Sequence, residues 1–179
     1  MSKHAELRQA AHADMARLFP LMNRAIRQSL APWLNPQQID GSFEFMGLDS
    51  QLIADGTYFV VLIDGSIAGC GGWSRRATLF GGDHSDGRSP RLLDPETEPA
   101  RVRAMYTDPA YTRRGIGRRI LERCENAARS EGFTHAELAA TAAGLPLYEA
   151  CGYAAIEDIP TIASNGASIP LIRMGKILI

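Results

Sequence analysis

Apolar and polar residues alternate along the chain in two distinct rhythms. In "TYFVVLIDGSIAGCGGWS", two apolar runs, residues 58–63 and 67–73, flank Asp64-Gly65, the pair that a tight primed turn favours, and predict a β-hairpin. "AELRQA" near the start reads as a short edge strand. "RVRAMYT", "THAELAAT", "YAAIEDI" and "SIPLIRMGKI" read as four more strands, the first ended by Asp108-Pro109. The helical rhythm begins at Asp14, a fair N-cap, and places Met15, Leu18, Met22, Ile26 and Leu30 on one face. Pro20 predicts a kink or a restart there. A second helix is signalled by Asn35 as cap, Pro36 at the first helical position and Gln38 completing a capping box, with Gly47 ending it or marking a break.

From Gly115 the pattern is helical again. Ile120, Leu121, Cys124, Ala127 and Ala128 form one face, Arg119, Glu122, Arg123, Glu125 and Arg129 lie largely on the other, and Gly132 closes the helix. "GLPLYEACG" is a short fourth helix. The order β-α-α-β-β-β-α-β-α-β-β is mixed α/β, without repeats or an obvious linker, and is read as a single domain over residues 1–179. Residues 75–98 lack sustained periodicity and are rich in Gly, Asp and Pro. A loop of that length is usually functional or disordered.

Composition narrows the possibilities. With 45% hydrophobic and 22% charged residues, the chain reads as an ordinary soluble globular protein. Lys+Arg of 19 against Asp+Glu of 20 gives no global attraction to nucleic acid or anionic membrane. Three cysteines, Cys70, Cys124 and Cys151, are odd in number and have no metal-ligand spacing, so core thiols are expected, with no metal. The start carries charges where the apolar core of a signal peptide would lie, and no apolar run is long enough to span a bilayer. A cytoplasmic protein is expected.

One local feature stands against this even background. "MYTDPAYTRRGIGRRIL", residues 105–121, puts Arg113, Arg114, Arg118 and Arg119 around Gly115-Ile116-Gly117 at a strand–turn–helix crossing. A helix N-terminus leaves N–H groups without partners and carries partial positive charge, and adjacent guanidinium groups add to it. Such a cradle suits a phosphate or pyrophosphate. A tight turn with a solvated basic face accounts for the same residues equally simply. Ile120 stands where a dinucleotide-binding G-x-G-x-x-G would have its third glycine, and no Gly-Lys-Ser/Thr ending marks a P-loop.

The segment resembles the acetyl-CoA-binding motif of the GNAT superfamily of acyl-CoA-dependent N-acyltransferases, a hydrophobic strand followed by Gln/Arg-x-x-Gly-x-Gly/Ala and a helix. "LPLYEACGY" resembles that family's second signature, a Leu-Tyr closing a short helix before Gly-Phe or Gly-Tyr. Thr112 departs from the usual Gln/Arg, and Thr141 from an Asn found in many members. The resemblance implies a mostly antiparallel central sheet of about seven strands flanked by about four helices. It also implies acetyl-CoA as co-substrate, its pyrophosphate on the N–H groups of Arg113, Arg114, Gly115, Ile116, Gly117 and Arg118. The pantetheine arm would lie along Met105, Tyr106 and Thr107 where the strand splays from its neighbour, with the Met105 or Tyr106 N–H near the acetyl carbonyl. Tyr148 matches the tyrosine that donates a proton to the departing thiolate.

The implied reaction is acetyl transfer to a primary amine of a small molecule or peptide by direct attack in a ternary complex. The alternative is a non-catalytic acyl-CoA-binding sensor or scaffold. Cys151, one turn beyond Tyr148, has no base nearby in sequence, which disfavours an acyl-enzyme. Many relatives carry a Glu on the motif strand, and "RVRAMYT" has none. Glu44, Asp83, His84 and Glu98 are candidate bases, and none is assigned. Trp33, Phe43, Phe45 and Trp73 are candidates to line the acceptor site. Loop 75–98 is a candidate lid whose Asp83 and Asp86 would attract a cationic acceptor. In such folds exposed C-terminal strands often pair, which leaves a homodimer open.

Overall fold

The computed structural model describes residues 5–178. The charged start through His4, on which the reading of the N-terminus partly rests, lies outside them. Seven strands form one sheet: β1 (Ala5–Gln9), β2 (Tyr58–Ile63), β3 (Ser66–Ser74), β4 (Ala100–Thr107), β5 (His135–Ala140), β6 (Ala154–Ile159) and β7 (Leu171–Ile177). Their spatial order is β1-β2-β3-β4-β5-β7-β6. Every neighbouring pair is antiparallel except β4 and β5, which the crossover through a helix makes parallel. Among the described residues five α-helices accompany the sheet: α1 (Met15–Leu30), α2 (Pro36–Ser42), α3 (Ser50–Ala54), α4 (Ile116–Ser130) and α5 (Leu145–Ala150). The expected strands are all present, and the expected four helices become five by the addition of α3.

β2 is buried along its whole length because both of its faces are covered. Tyr58, Val60 and Leu62 face Leu18, Met22, Ile26 and Leu30 of α1, whereas Phe59, Val61 and Ile63 face the layer built on Ile120, Leu121 and Cys124 of α4. A strand covered on both faces reads as a continuous apolar run, as "YFVVLI" does. Asp64 and Gly65 both take left-handed backbone angles, φ 49° and 79°, the geometry of the primed turn that the pair predicts.

Two expectations change on contact with the fold. α1 runs unbroken through Pro20. The missing N–H leaves only the Ala16 carbonyl without its helical donor, and Ala16 lies on the exposed face, where water serves it. Asp14 does not cap α1. Its carboxylate instead accepts the Ala11 N–H at 2.8 Å and forms an ion pair with Arg8 at 2.7 Å.

Glu125, placed by its spacing on the polar face of α4, is only 4% exposed and receives Lys176 of β7 at 2.8 and 2.9 Å. A cation from a strand 51 positions away offsets the cost of that burial. We expect Lys176→Met to lower stability by about 2–3 kcal/mol, because it leaves the buried carboxylate only the more distant Arg129, at 3.7 Å. Adding Glu125→Leu should recover most of that loss, as read by urea denaturation.

Candidate active site

The site begins with a defect in the sheet. Between Cys70–Tyr106 and Gly72–Arg103 the register shifts, so that β4 spends one more residue than β3 over the same span. The bulge falls at Ala104 and Met105, and Ala104 has φ 51°, in the left-handed region. Two contacts hold it there. The Tyr58 hydroxyl donates to the Ala104 carbonyl at 2.7 Å. The Met105 side chain fills the space beside Gly71, where an added Cβ would lie 2.1 Å from Sδ.

On its other edge β4 pairs with β5 only at Ala100–Ala136 and Arg101–Glu137. Beyond Arg101 the strands part, and a cleft of about 650 Å³ opens between them. Asp108 turns its N–H to β3, donating to the Ala68 carbonyl at 2.9 Å. Alternation along the strand therefore turns the peptide groups of Thr107 and Met105 toward the gap and that of Tyr106 toward β3. Tyr106 presents its ring to the cleft while its hydroxyl accepts the Gly47 N–H at 2.8 Å.

At one end of the cleft is the turn into α4. Arg113 and Gly115 have φ 61° and 75°, and left-handed residues on either side of Arg114 curl the backbone so that its N–H groups converge. Among the described residues, none of the amides of 113–118 donates to a protein acceptor, and the first to do so is Arg119, to Gly115 at 3.0 Å. The turn is tethered by Asp108, which caps Ala110 and pairs with Arg24 of α1.

The four arginines divide. Arg113 and Arg118 line the cleft, Arg114 lies over the Tyr111 ring at 5.3 Å, and Arg119 reaches the Ala5 carbonyl of β1. The two glycines differ as well. Gly115 has open space around it and is required by its backbone angle, whereas a Cβ on Gly117 would meet Leu147 of α5 at 2.8 Å. Gly117 thus serves the packing of α4 against α5 and also lines the cleft.

Tyr148, on α5, lines the cleft and packs edge-on against Tyr153, centroids 6.0 Å apart. Burial pushes its phenol up, well clear of the neutral range, so it stays protonated. Among the described residues its hydroxyl has no protein partner. Burial pushes the Cys70 thiol up to about 12 and also raises Cys151, which does not line the cleft, so neither is a poised nucleophile.

Of the residues considered for the acceptor, Phe45 lines the cleft, joined by Phe80 and Gly81 of loop 75–98. Trp73 is core, 1% exposed and edge-on to Phe133. Trp33 is exposed away from the cleft, and Phe43 lies under Arg27. None of the four candidate bases lines the cleft. Glu98 pairs with Arg91, Asp83 with Arg88 and the Ser50 N–H, Glu44 with Ser164, and His84 with the Phe43 carbonyl.

Sequence reasoning missed Arg103 and Asp49. Arg103, 4% exposed on the cleft floor, pairs with Asp49 at 2.7 Å and donates to the Gly81 carbonyl. Asp49 also receives Arg88 at 2.7 Å and caps α3, so one buried carboxylate ties β4, α3 and loop 75–98 together. The alternation of "RVRAMYT" marks Arg103 as facing opposite Val102, and Asp49-Ser50 has the form of a helix start. Nothing local joins the two.

A family model described as the acetyltransferase (GNAT) family matches residues 20–153. Among solved structures, a GCN5-related N-acetyltransferase from Rhodopseudomonas palustris superposes with a TM-score of 0.71 at 18% identity, covering 99% of each chain. PaiA N-acetyltransferase from Thermoplasma acidophilum, in complex with coenzyme A, gives 0.66 at 14% identity, with 97% of this chain and 99% of that one covered. YncA from Salmonella typhimurium, with its cofactor acetyl-CoA, gives 0.65 at 19% identity over 98% and 94%. No curated protein matches the chain significantly. Among the described residues no cluster of His, Cys, Asp and Glu is placed to hold a metal, and no helix is long and apolar enough to cross a membrane.

The contrast between the two glycines is open to measurement. Gly115→Ala should cost about 1–2 kcal/mol through its left-handed angle alone. Gly117→Ala should stay within about 1 kcal/mol of the parent, since helix propensity offsets the displacement of Leu147. Urea denaturation of the two variants distinguishes these outcomes.

Proposed function

The chain belongs to the acetyltransferase (GNAT) family and is an acetyl-CoA-dependent acyltransferase; on that premise we propose that it transfers the acetyl group to a primary amine by direct attack within a ternary complex. One observation carries this reading. The gap between β4 and β5 joins, in a single cleft, the free amides of 113–118, the peptide groups of Met105 and Thr107, and the Tyr148 hydroxyl.

The residues fit acetyl-CoA in charge and in shape. The curled amides of 113–118, with Arg113 and Arg118, hold the pyrophosphate. Met105 and Thr107 present peptide groups to the amides of the pantetheine arm, in the place a neighbouring strand would take. The Met105 N–H is the donor to the acetyl oxygen as negative charge develops there. Tyr148, kept protonated by its burial, gives its proton to the departing sulfur. The absence of a poised thiol in the cleft supports direct attack over an acyl-enzyme.

Calorimetric titration with acetyl-CoA, followed by thiol release in the presence of amines, tests the proposal. Arg113→Ala and Arg118→Ala should each weaken acetyl-CoA binding about tenfold, more at low salt than at high. Tyr148→Phe should lower kcat about a hundredfold while the acetyl-CoA Kd stays within about twofold. Unchanged binding in the double arginine variant would remove the cradle from the reading.

A further inference from the structure

The acceptor end of the cleft carries a chemical signature of its own, and reading it rests on the transferase assignment just made. Its walls are Ile26 and Leu30 of α1, Phe45 and Met46 after α2, and Leu79 and Phe80 of loop 75–98. Phe45 and Phe80 meet edge to face with centroids 6.3 Å apart. Both loops that border α2 are fastened to this region. From the loop between β6 and β7, Asn165 and Gln37 exchange side-chain-to-carbonyl bonds of 2.9 Å, and the Ser164 N–H donates to Glu44. From loop 75–98, the Asp83 N–H donates to the Leu48 carbonyl at 2.9 Å and the Ser85 hydroxyl to the Glu44 carbonyl. These bonds hold loop 75–98 against this end of the cleft as one of its walls. The whole cleft, about 650 Å³, must also take the acetylated arm of the cofactor, which leaves room for a small apolar body.

The charges point the same way. The ionisable groups facing the cleft are Arg103, Arg113, Arg118, Tyr106 and Tyr148, and among the described residues no carboxylate or imidazole joins them. Asp49 is paired with both Arg103 and Arg88, Asp83 with Arg88, and Glu44 is engaged by Ser164. His84 stands behind Gly47, its Nε2 on the Phe43 carbonyl. An ammonium entering here would exchange water for apolar walls, with no carboxylate in the cleft to meet its charge and the one nearby guanidinium, Arg103, already paired with Asp49. A neutral amine meets no such penalty. An amine as basic as lysine, pKa about 10.4, is about 0.1% neutral at pH 7.4, so a cleft without a base meets almost none of it in reactive form.

We propose that the acceptor is a small aromatic amine, weakly basic and bound as its neutral free base. The step balances without a further base. The amine lone pair forms the C–N bond and the C–S bond breaks, its electron pair leaving on sulfur. The Tyr148 proton passes to sulfur, and one N–H proton of the amine restores Tyr148. The products are a neutral amide and a neutral thiol. An ammonium would bring one more proton, and no group in the cleft takes it.

The test compares aniline with benzylamine, the same ring carrying amines of very different basicity, by thiol release over pH 6 to about 9, together with acetyl-CoA calorimetry. Aniline should be acetylated with a flat kcat/KM. The value for benzylamine should rise about tenfold per pH unit up to its own pKa. Phe80→Ala should lower kcat/KM for aniline at least about tenfold and leave the acetyl-CoA Kd within about twofold. An ionisation common to both amines, and abolished by His84→Gln, would overturn the proposal by revealing a protein base. Acetyl-CoA binding with no acetylation of aniline, or with a polyamine or a peptide as the preferred acceptor, would also overturn it while leaving the transferase standing. Failure to bind acetyl-CoA would instead sink the transferase reading itself.

Discussion

The parting of β4 from β5 after two paired residues is the constraint on which the rest of this structure depends. A sheet that stayed closed would satisfy its own backbone and have nothing left to offer. Here one edge of β4 is freed, and the freedom is maintained by a bulge at Ala104 and Met105 held from behind by Tyr58 and by the vacancy at Gly71. The left-handed angle at Ala104 is unfavourable for a residue with a Cβ, so those contacts must overcome it. Tyr58 belongs to the most buried strand of the sheet, which fixes the bulge to the rigid part of the fold.

Electrostatics then divides the molecule. Carboxylates are plentiful, 20 against 19 basic side chains, yet among the described residues none lines the cleft and several hold the structure together. Asp108 and Arg24 pin the turn before α4, Glu125 and Lys176 join α4 to β7, and Asp49 collects Arg103 and Arg88. What remains facing the cleft is positive and phenolic. An even overall charge thus hides a strongly uneven distribution, which suits an anionic cofactor at one end and an uncharged guest at the other.

Local chemistry was readable in the chain, and long-range pairing was not. Asp64-Gly65 declared its turn, Asn35-Pro36 its helix start and the arginine–glycine segment its free amides, because each depends only on residues a few positions apart. Pro20 misled because the cost of a proline depends on whether the orphaned carbonyl is wet, which is a property of the folded surface. Glu125 misled because its partner is 51 positions away. α3 was missed because five residues carry too little periodicity to register. Arg103 and Asp49 escaped notice for the same reason as Glu125: each looks like a surface residue until the other arrives. Trp73 shows the converse, an aromatic whose type suggested a site and whose strand position makes it core.

Gly117 sits where the turn of free amides becomes α4, yet the room it leaves is occupied by Leu147, the residue before Tyr148. A single methyl at position 117 needs only the tip of Leu147 to move, whereas a bulky side chain would push on the helix that carries Tyr148. The turn of free amides and the helix of the phenol are therefore joined mechanically at this one contact. The walls built from Phe45, Phe80 and their neighbours contact neither Gly117 nor Leu147, so a change of shape there leaves that joint between α4 and α5 untouched.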